Sequence, residues 1–125
     1  MSTSQISNTV SVIAGAAVGI YRFVQLQTDG KFDQVGTAQA RMDGISAGAA
    51  AADLDVIPMV VPDGRVAKVE AGATVTAGMV AASDNVGRCI EAVSTAGNVE
   101  AGMILSGGAV GEIIQILFRV DRDQA

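Results

Sequence analysis

The chain has 125 residues, half of them hydrophobic, and a net charge of −5 that results from 13 acidic and 8 basic side chains, with no histidine. A chain of this length forms one small domain, and an acidic balance without a basic cluster argues against nucleic-acid and membrane-surface partners. The single cysteine excludes an intrachain disulfide. Without histidine the common zinc sites are excluded as well, so we expect neither a metal nor a cofactor.

Aromatic side chains are scarce, with three Phe, one Tyr and no Trp. Aromatic residues normally supply the largest pieces of buried area, so Ala, Val, Ile, Leu and Met must fill this core. A core of small side chains gives a domain of this size only marginal stability. The composition is compatible with two interpretations: an ordinary small-residue β core, or a domain that buries much of its apolar area between subunits.

The N-terminal segment, residues 1–19, is predicted to be a flexible arm because its first eight residues are rich in Ser, Thr and Gln and carry no charge. Val10 and Val12 alternate weakly and predict a strand where a sheet edge is available. The apolar run over residues 10–20 follows no basic residue and is too short to cross a bilayer. We therefore expect a soluble protein without a leader peptide.

Short β-type runs separated by turn residues occupy residues 20–120, and residues 121–125 form a polar tail. The first predicted hairpin joins residues 20–27 to residues 31–35 through Asp29-Gly30. Both central residues of such a turn must tolerate a positive φ, which makes this dipeptide a strong hairpin signal.

The next predicted strands cover residues 41–45 and 54–61, and Pro58 assigns the second of them to a sheet edge or a bulge because proline cannot donate to the ladder. The turn Pro62-Asp63-Gly64 leads into the following strand. The remaining predicted strands cover residues 65–70, 79–82, 88–93, 103–105 and 112–120. This spacing, without a long helical pattern, predicts an all-β domain, namely a small β-barrel or sandwich.

Two segments resemble each other, residues 44–57 and residues 104–117. Their alignment at a spacing of 60 places Ser46 on Ser106. Further upstream, one turn resembles another at a slightly shorter spacing: residues 28–31 and residues 83–88. The sequence therefore predicts a pseudo-repeat of two β units that together present a surface.

Several side chains have potential chemistry, and each has a simpler structural interpretation. They are Asp53 with Asp55, Asp121 with Asp123, Ser46, Ser106 and Cys89. No histidine is present to activate a nucleophile, and general acid–base catalysis needs carboxylates enclosed in a cleft. We interpret the carboxylates as solvated strand-face and tail residues and Cys89 as a packing thiol, and we expect no enzymatic activity. A small enzyme whose catalytic site forms between subunits is an alternative interpretation.

Residues 69–80 have the spacing V-x-x-G-x-x-V-x-x-G-x-V, which is similar to a run in lipoyl and biotinyl carrier domains. Such domains bear their cofactor on a lysine at the tip of an exposed hairpin, and neither Lys31 nor Lys68 lies in such a tip. The glycine-rich corners of small β-barrels account for the same spacing. A carrier-like β-barrel is therefore the alternative to a purely structural role.

Four stretches together resemble one protein family: residues 22–30, the step Asp43-Gly44-Ile45-Ser46, residues 66–88 and residues 111–117. Their order and spacing are similar to those of the small capsid decoration proteins of tailed phages, also called cement or head-stabilising proteins. The resemblance covers roughly residues 20–118.

The resemblance implies a β-barrel-like or β-tulip-like domain that has no catalytic residues. It implies binding to the major capsid protein on the outer surface of the expanded head, often as a homotrimer at capsomer junctions, after synthesis in the host cytoplasm. It implies no nucleic-acid or membrane partner. The N-terminal arm of the family often reaches onto the shell, and the expected contact residues here are Ser2, Gln5, Ile6, Asn8, Val10 and Val12.

Overall fold

A computed structural model describes residues 9–93 and 98–122, which form ten β-strands and no helix. The strands are β1 (Thr9–Ile13), β2 (Phe23–Leu26), β3 (Phe32–Gln34), β4 (Gly44–Ser46), β5 (Val56–Val60), β6 (Val66–Glu70), β7 (Ala81–Ser83), β8 (Cys89–Glu91), β9 (Val99–Ile104) and β10 (Ile113–Arg122). The all-β prediction is confirmed, and every predicted strand overlaps an observed one.

The strands form three separate sheets. The first has the order β1-β5-β4-β2-β3, the second has the order β6-β10-β9, and the third is the hairpin β7-β8. The predicted barrel is not formed, because the sheets do not close on one another. β7 and β8 have only three residues each, and the bridge between Val80 and Met103 links their hairpin to β9 without extending the ladder.

The chain is an internal duplication. We call residues 9–60 the first half and residues 66–122 the second half, of which residues 66–117 repeat the first half and the remainder continues β10. The turn glycine of each half has a positive φ, 83° at Gly30 and 80° at Gly87. These two glycines lie 57 residues apart, so the predicted similarity of the two turns is confirmed.

Strand pairing defines the equivalence of the two halves. The pair Thr9–Val60 of β1 and β5 recurs as the pair Val66–Leu117 of β6 and β10, again after 57 residues on each strand. Between β4 and β9 the offset is 58 residues, because the ladder pair Phe23–Ile45 of β2 and β4 recurs as the bridge Val80–Met103. The pseudo-repeat is confirmed, but the predicted spacing of 60 is wrong because loop Gly and Ser residues matched out of register.

Each half interlocks two loops through reciprocal backbone hydrogen bonds. In the first half, Val18 and Ala50 exchange two bonds of 2.9 Å; in the second half, Val75 and Gly108 exchange bonds of 2.9 and 3.0 Å. In all four loops, a residue with positive φ follows and turns the chain towards the next strand. These residues are Tyr21 (59°), Leu54 (74°), Gly78 (92°) and Gly111 (88°).

Two hydrophobic clusters stabilise the part of the fold that the structure describes. The smaller one is the interior of the first half and contains Ala14, Val18, Val24, Ala50, Ile57 and Met59. The larger one joins the interior of the second half to the outer face of the first sheet. In it, the rings of Phe23 and Phe118 lie 6.0 Å apart at 47°, and neither ring is exposed. Two of the few aromatic residues therefore lie where the halves meet.

Besides Phe118, whose ring packs against Phe23, the second half covers the outer face of the first sheet through five residues that form hydrogen bonds with the first half, which we call the covering face. These residues are Glu70, Ser83, Val86, Gly87 and Val99. Backbone N–H groups donate from Phe23 to Gly87 (2.7 Å), from Glu70 to Tyr21 (2.9 Å), from Gln39 to Ser83 (2.8 Å) and from Val99 to Gln39 (3.0 Å).

The boundaries of the folded body differ from the predicted ones. β1 lies at the edge of the first sheet, and Ala14 and Val18 are buried, so residues 9–19 belong to the folded body rather than to an arm. Residues 1–8 lie outside the described residues. At the other end, β10 extends to Arg122 and includes the start of the predicted tail.

Pro58 lies in β5 between β1 and β4, so its assignment to an edge strand is wrong. Its carbonyl accepts the N–H of Ala47 at 2.8 Å, immediately beyond the last ladder residue of β4, Ser46. In an antiparallel strand the nitrogen and oxygen of one residue face the same side. The proline nitrogen therefore faces the point where β4 ends, so the missing N–H lies beyond the last ladder pair of β4 and β5, Ser46 with Met59.

Candidate interaction surfaces

Ser46 and Ser106, the two candidate nucleophilic serines, both have structural roles. Ser46 is fully buried; its hydroxyl donates to the carbonyl of Gly19 at 2.6 Å and accepts the N–H of Arg22 at 3.0 Å. The hydroxyl oxygen of Ser106 accepts the N–H of Gln115 at 3.0 Å. The two serines fix loops to neighbouring strands, and they are not equivalent positions of the repeat.

The carboxylates Asp53 and Asp55 lie in the turn before β5, which corrects their predicted place on a strand face. Asp55 accepts the N–H groups of Ala51 and Ala52 at 2.8 and 3.2 Å, so it closes the turn. Asp53 accepts a hydrogen bond of 3.0 Å from Lys31, and this bond raises the pKa of the lysine. The two carboxylates act separately, because each has its own structural partner.

Cys89 is fully buried in β8, and burial raises the pKa of its thiol to about 12. A thiol with this pKa stays protonated near neutral pH and is a poor nucleophile. Within the described ranges, no group of three or more Cys, Asp or Glu side chains is placed to hold a metal ion. Nor does that part of the chain contain a helix that could cross a membrane.

An ionic cluster lies where the two halves meet. Glu70 approaches Arg22 at 3.3 Å and Arg88 at 4.0 Å, and Arg88 also pairs with Asp84 at 3.2 Å. Arg22 donates a further bond of 2.9 Å to the carbonyl of Val86. These partly buried groups connect the halves, so the cluster is part of the scaffold.

The predicted contact residues of the N-terminal segment fall into two groups. Val10 and Val12 lie on β1; Val10 is exposed, whereas Val12 is half-buried and packs against the core of the first half. The other four, Ser2, Gln5, Ile6 and Asn8, lie outside the described residues. β1 is the terminal strand of its sheet, and an edge strand is a position at which another chain can add a strand.

A second surface, which we call the open cleft, lies on the outer side of the second half and has a volume of about 350 Å³. Its floor is apolar and consists of Val80, Met103 and Leu117, with Val80 and Met103 each more than two-fifths exposed. Charged side chains line its rim: Glu100, Arg119 and Asp121. Asp123, the predicted partner of Asp121, lies outside the described residues.

Sequence reasoning missed the open cleft. The signal that identifies it is the repeat at its true spacing, because Val80 and Met103 correspond to Phe23 and Ile45, which are fully buried in the first half. The predicted spacing of 60 did not align these positions.

Neither a family model nor a curated protein matches the sequence. Among solved structures, the fold is similar to the N base of head fiber gp8.5 in bacteriophage phi29, with a TM-score of 0.69 and 16% sequence identity. The similarity covers 94% of this chain and 98% of the other. The resemblance to phage head-associated proteins is therefore confirmed at the level of the fold.

Proposed function

We propose that this chain is a structural protein of a phage virion, which binds the outer surface of the head and stabilises it where capsomers meet. The observation that carries the proposal is the fold shared with a phage head fiber base over almost the whole length of both chains. A role in holding proteins together requires no catalytic centre, and we propose that the chain is not an enzyme.

The placement of reactive side chains supports a structural role. The serines, the Asp53–Asp55 pair and Cys89 have local structural duties or are buried. The carrier alternative gains no support, since Lys31 pairs with Asp53 and Lys68 lies within β6 rather than at a hairpin tip.

The partner in this proposal is the major capsid protein, and the contact is made by β1 and the residues before it. The proposed contact set consists of the residues expected on the shell from the sequence: Ser2, Gln5, Ile6, Asn8, Val10 and Val12. Each buried Å² of apolar surface contributes about 25 cal/mol, so a modest contact repeated in many copies stabilises a shell. We further propose that three copies assemble on the shell.

Binding to purified heads tests the proposal directly. The full chain is incubated with expanded heads of the phage that encodes it, and the heads are sedimented and imaged by electron cryomicroscopy. We expect saturable binding and density at capsomer junctions on the outer surface. If mass spectrometry detects the chain neither on the sedimented heads nor in the native virion, the proposal is refuted.

Two variants locate the contact. Deletion of residues 1–8 together with Val10→Ser should weaken head binding at least ~10-fold, because hot-spot contacts typically exceed one power of ten in affinity. Val110→Ser, which alters an exposed valine on the second half, is the matched control and should bind normally. Equal binding by both variants would show that the first strand and its preceding residues are not the contact.

A further inference from the structure

The internal duplication leaves one face of each half without its counterpart. The outer face of the first sheet is covered by the second half and includes Phe23, Met42, Ile45 and Val60. The residues 57 or 58 positions later are Val80, Glu100, Met103 and Leu117, which all line the open cleft. In the described part of the chain, the second half therefore lacks the cover that the first half has.

The covering face also has a counterpart. Its five residues correspond, after the same offsets, to Ile13, Leu26, Asp29, Gly30 and Arg41, which we call the matching face. All five residues of the matching face are exposed. Ile13 and Leu26 are large apolar side chains with 45% and 44% of their surface accessible. The open cleft therefore repeats one side of the contact between the halves, and the matching face repeats the other side.

We propose that the open cleft binds the matching face of a second copy of this chain, repeating between molecules the contact that the two halves make within one molecule. The chemistry of the two faces agrees with this pairing. Ile13 and Leu26 supply apolar surface for the floor of the cleft, and both faces carry charges of both signs: Asp29 and Arg41 on the matching face, and Arg119 with Glu100 and Asp121 on the rim.

The contact inside the chain specifies the arrangement. Phe23 donates its N–H to the carbonyl of Gly87, so Val80 of one copy is placed near Gly30 of the other. Glu70 donates to the carbonyl of Tyr21, so Ile13 of the second copy is placed near Gly78 of the first. The interface is head-to-tail, because the two copies use different surfaces. Association between copies through these faces does not require the proposed binding to phage heads.

Sedimentation velocity of the full chain, without any phage head, tests the inference. We expect the wild-type protein to associate reversibly between micromolar and millimolar concentrations, as small interfaces do. Met103→Glu in the cleft and Ile13→Glu in the matching face should each weaken association at least ~10-fold. Val110→Glu, at an exposed position outside both faces, should associate like the wild type. Glutamate at position 13 suits the strand, since Glu70 occupies the equivalent position, but it would face Met79, which stands where Arg22 pairs with Glu70 in the contact inside the chain.

Mixing the two variants distinguishes a head-to-tail contact from a two-fold one. The Ile13→Glu protein retains a normal cleft and the Met103→Glu protein retains a normal matching face, so their mixture should form a dimer through one intact interface. Association of each variant at wild-type strength, or failure of the mixture to dimerise, would overturn the inference. A wild-type protein that stays monomeric up to millimolar concentration would do so as well.

A second cleft variant serves as the test if the first variant does not fold. If Met103→Glu has lost the circular dichroism of the β-sheets, Val80→Glu takes its place, because Val80 is similarly exposed in the same floor. If cleft variants associate normally but no longer bind phage heads, the cleft binds a shell protein instead, and the inference of self-association is wrong.

Discussion

The packing of Phe23 against Phe118 predicts that the two halves unfold as one unit. Both rings are completely buried, and their centroids lie 6.0 Å apart at 47°, which is within the range of favourable aromatic pairs. Replacing either ring by leucine keeps an apolar side chain but removes the ring contact. We expect each single substitution to lower the free energy of unfolding by about 1–2 kcal/mol, out of a total of about 5–15 kcal/mol for a domain of this size.

A double-mutant cycle isolates the contact between the halves. The double variant should be less destabilised than the sum of the single variants by about 0.5–1.5 kcal/mol, the usual range for an aromatic pair. Urea denaturation followed by circular dichroism measures all four proteins. Each should show a single transition, because a second half that unfolds alone would expose the outer face of the first sheet.

The control is Phe32→Leu, since Phe32 packs against the separate core of the first half. Combined with Phe118→Leu it should be additive to within ~0.5 kcal/mol. Two resolved transitions, or additivity in the Phe23–Phe118 cycle as complete as in the control, would contradict the view that these rings couple the halves.

Three further predictions concern single positions. Gly102→Ala should lower the free energy of unfolding by at least ~2 kcal/mol in thermal denaturation, because φ is 103° there and a Cβ would meet the carbonyl of Leu117. Gly36 has open space around it, so Gly36→Ala should change the free energy of unfolding by less than ~0.5 kcal/mol in the same thermal denaturation experiment. The thiol of Cys89 should make the free energy of unfolding fall as pH rises from the ordinary pKa of 9.0 to about 12, by at most ~1.4 kcal/mol per pH unit. The reason is that only the unfolded chain releases the proton between these two pH values. Cys89→Ala should remove this contribution, as measured by denaturant titrations at a series of fixed pH values. Leu54→Gly should raise stability by about 0.5–1 kcal/mol, because it relieves a φ of 74° at a side chain that is 64% exposed, and a loss of stability in urea titration would argue against strain at this turn.

Local chemistry explains which parts of the fold the sequence predicted. The turns at Gly30 and Gly64 were placed correctly because a positive φ, 83° and 87°, is a property of the dipeptide and its glycine. The assignment of Pro58 to a sheet edge was wrong for the opposite reason. Whether a proline disrupts a sheet depends on where the neighbouring strand ends, and that strand, β4, is contributed by a distant part of the chain.

The candidate surfaces were harder to predict than the strands. Val80 and Met103 have the same apolar character as the core residues Phe23 and Ile45 at their equivalent positions, so composition does not separate a buried face from an exposed one. Only the docking of the second half onto the first decides which of the two faces is covered. The barrel prediction was wrong for a similar reason, because sheet closure depends on non-local pairing.

The interlocked loops have a consequence for the speed at which the chain folds. The exchange between Val18 and Ala50 joins residues 32 positions apart, and the exchange between Val75 and Gly108 joins residues 33 positions apart. Native contacts of such long sequence separation form slowly, on the millisecond-to-second scale common for β proteins. During synthesis, neither half can complete its interlock until its second loop has left the ribosome, so the nascent chain exposes unpaired strand edges for longer than a helical protein of equal length.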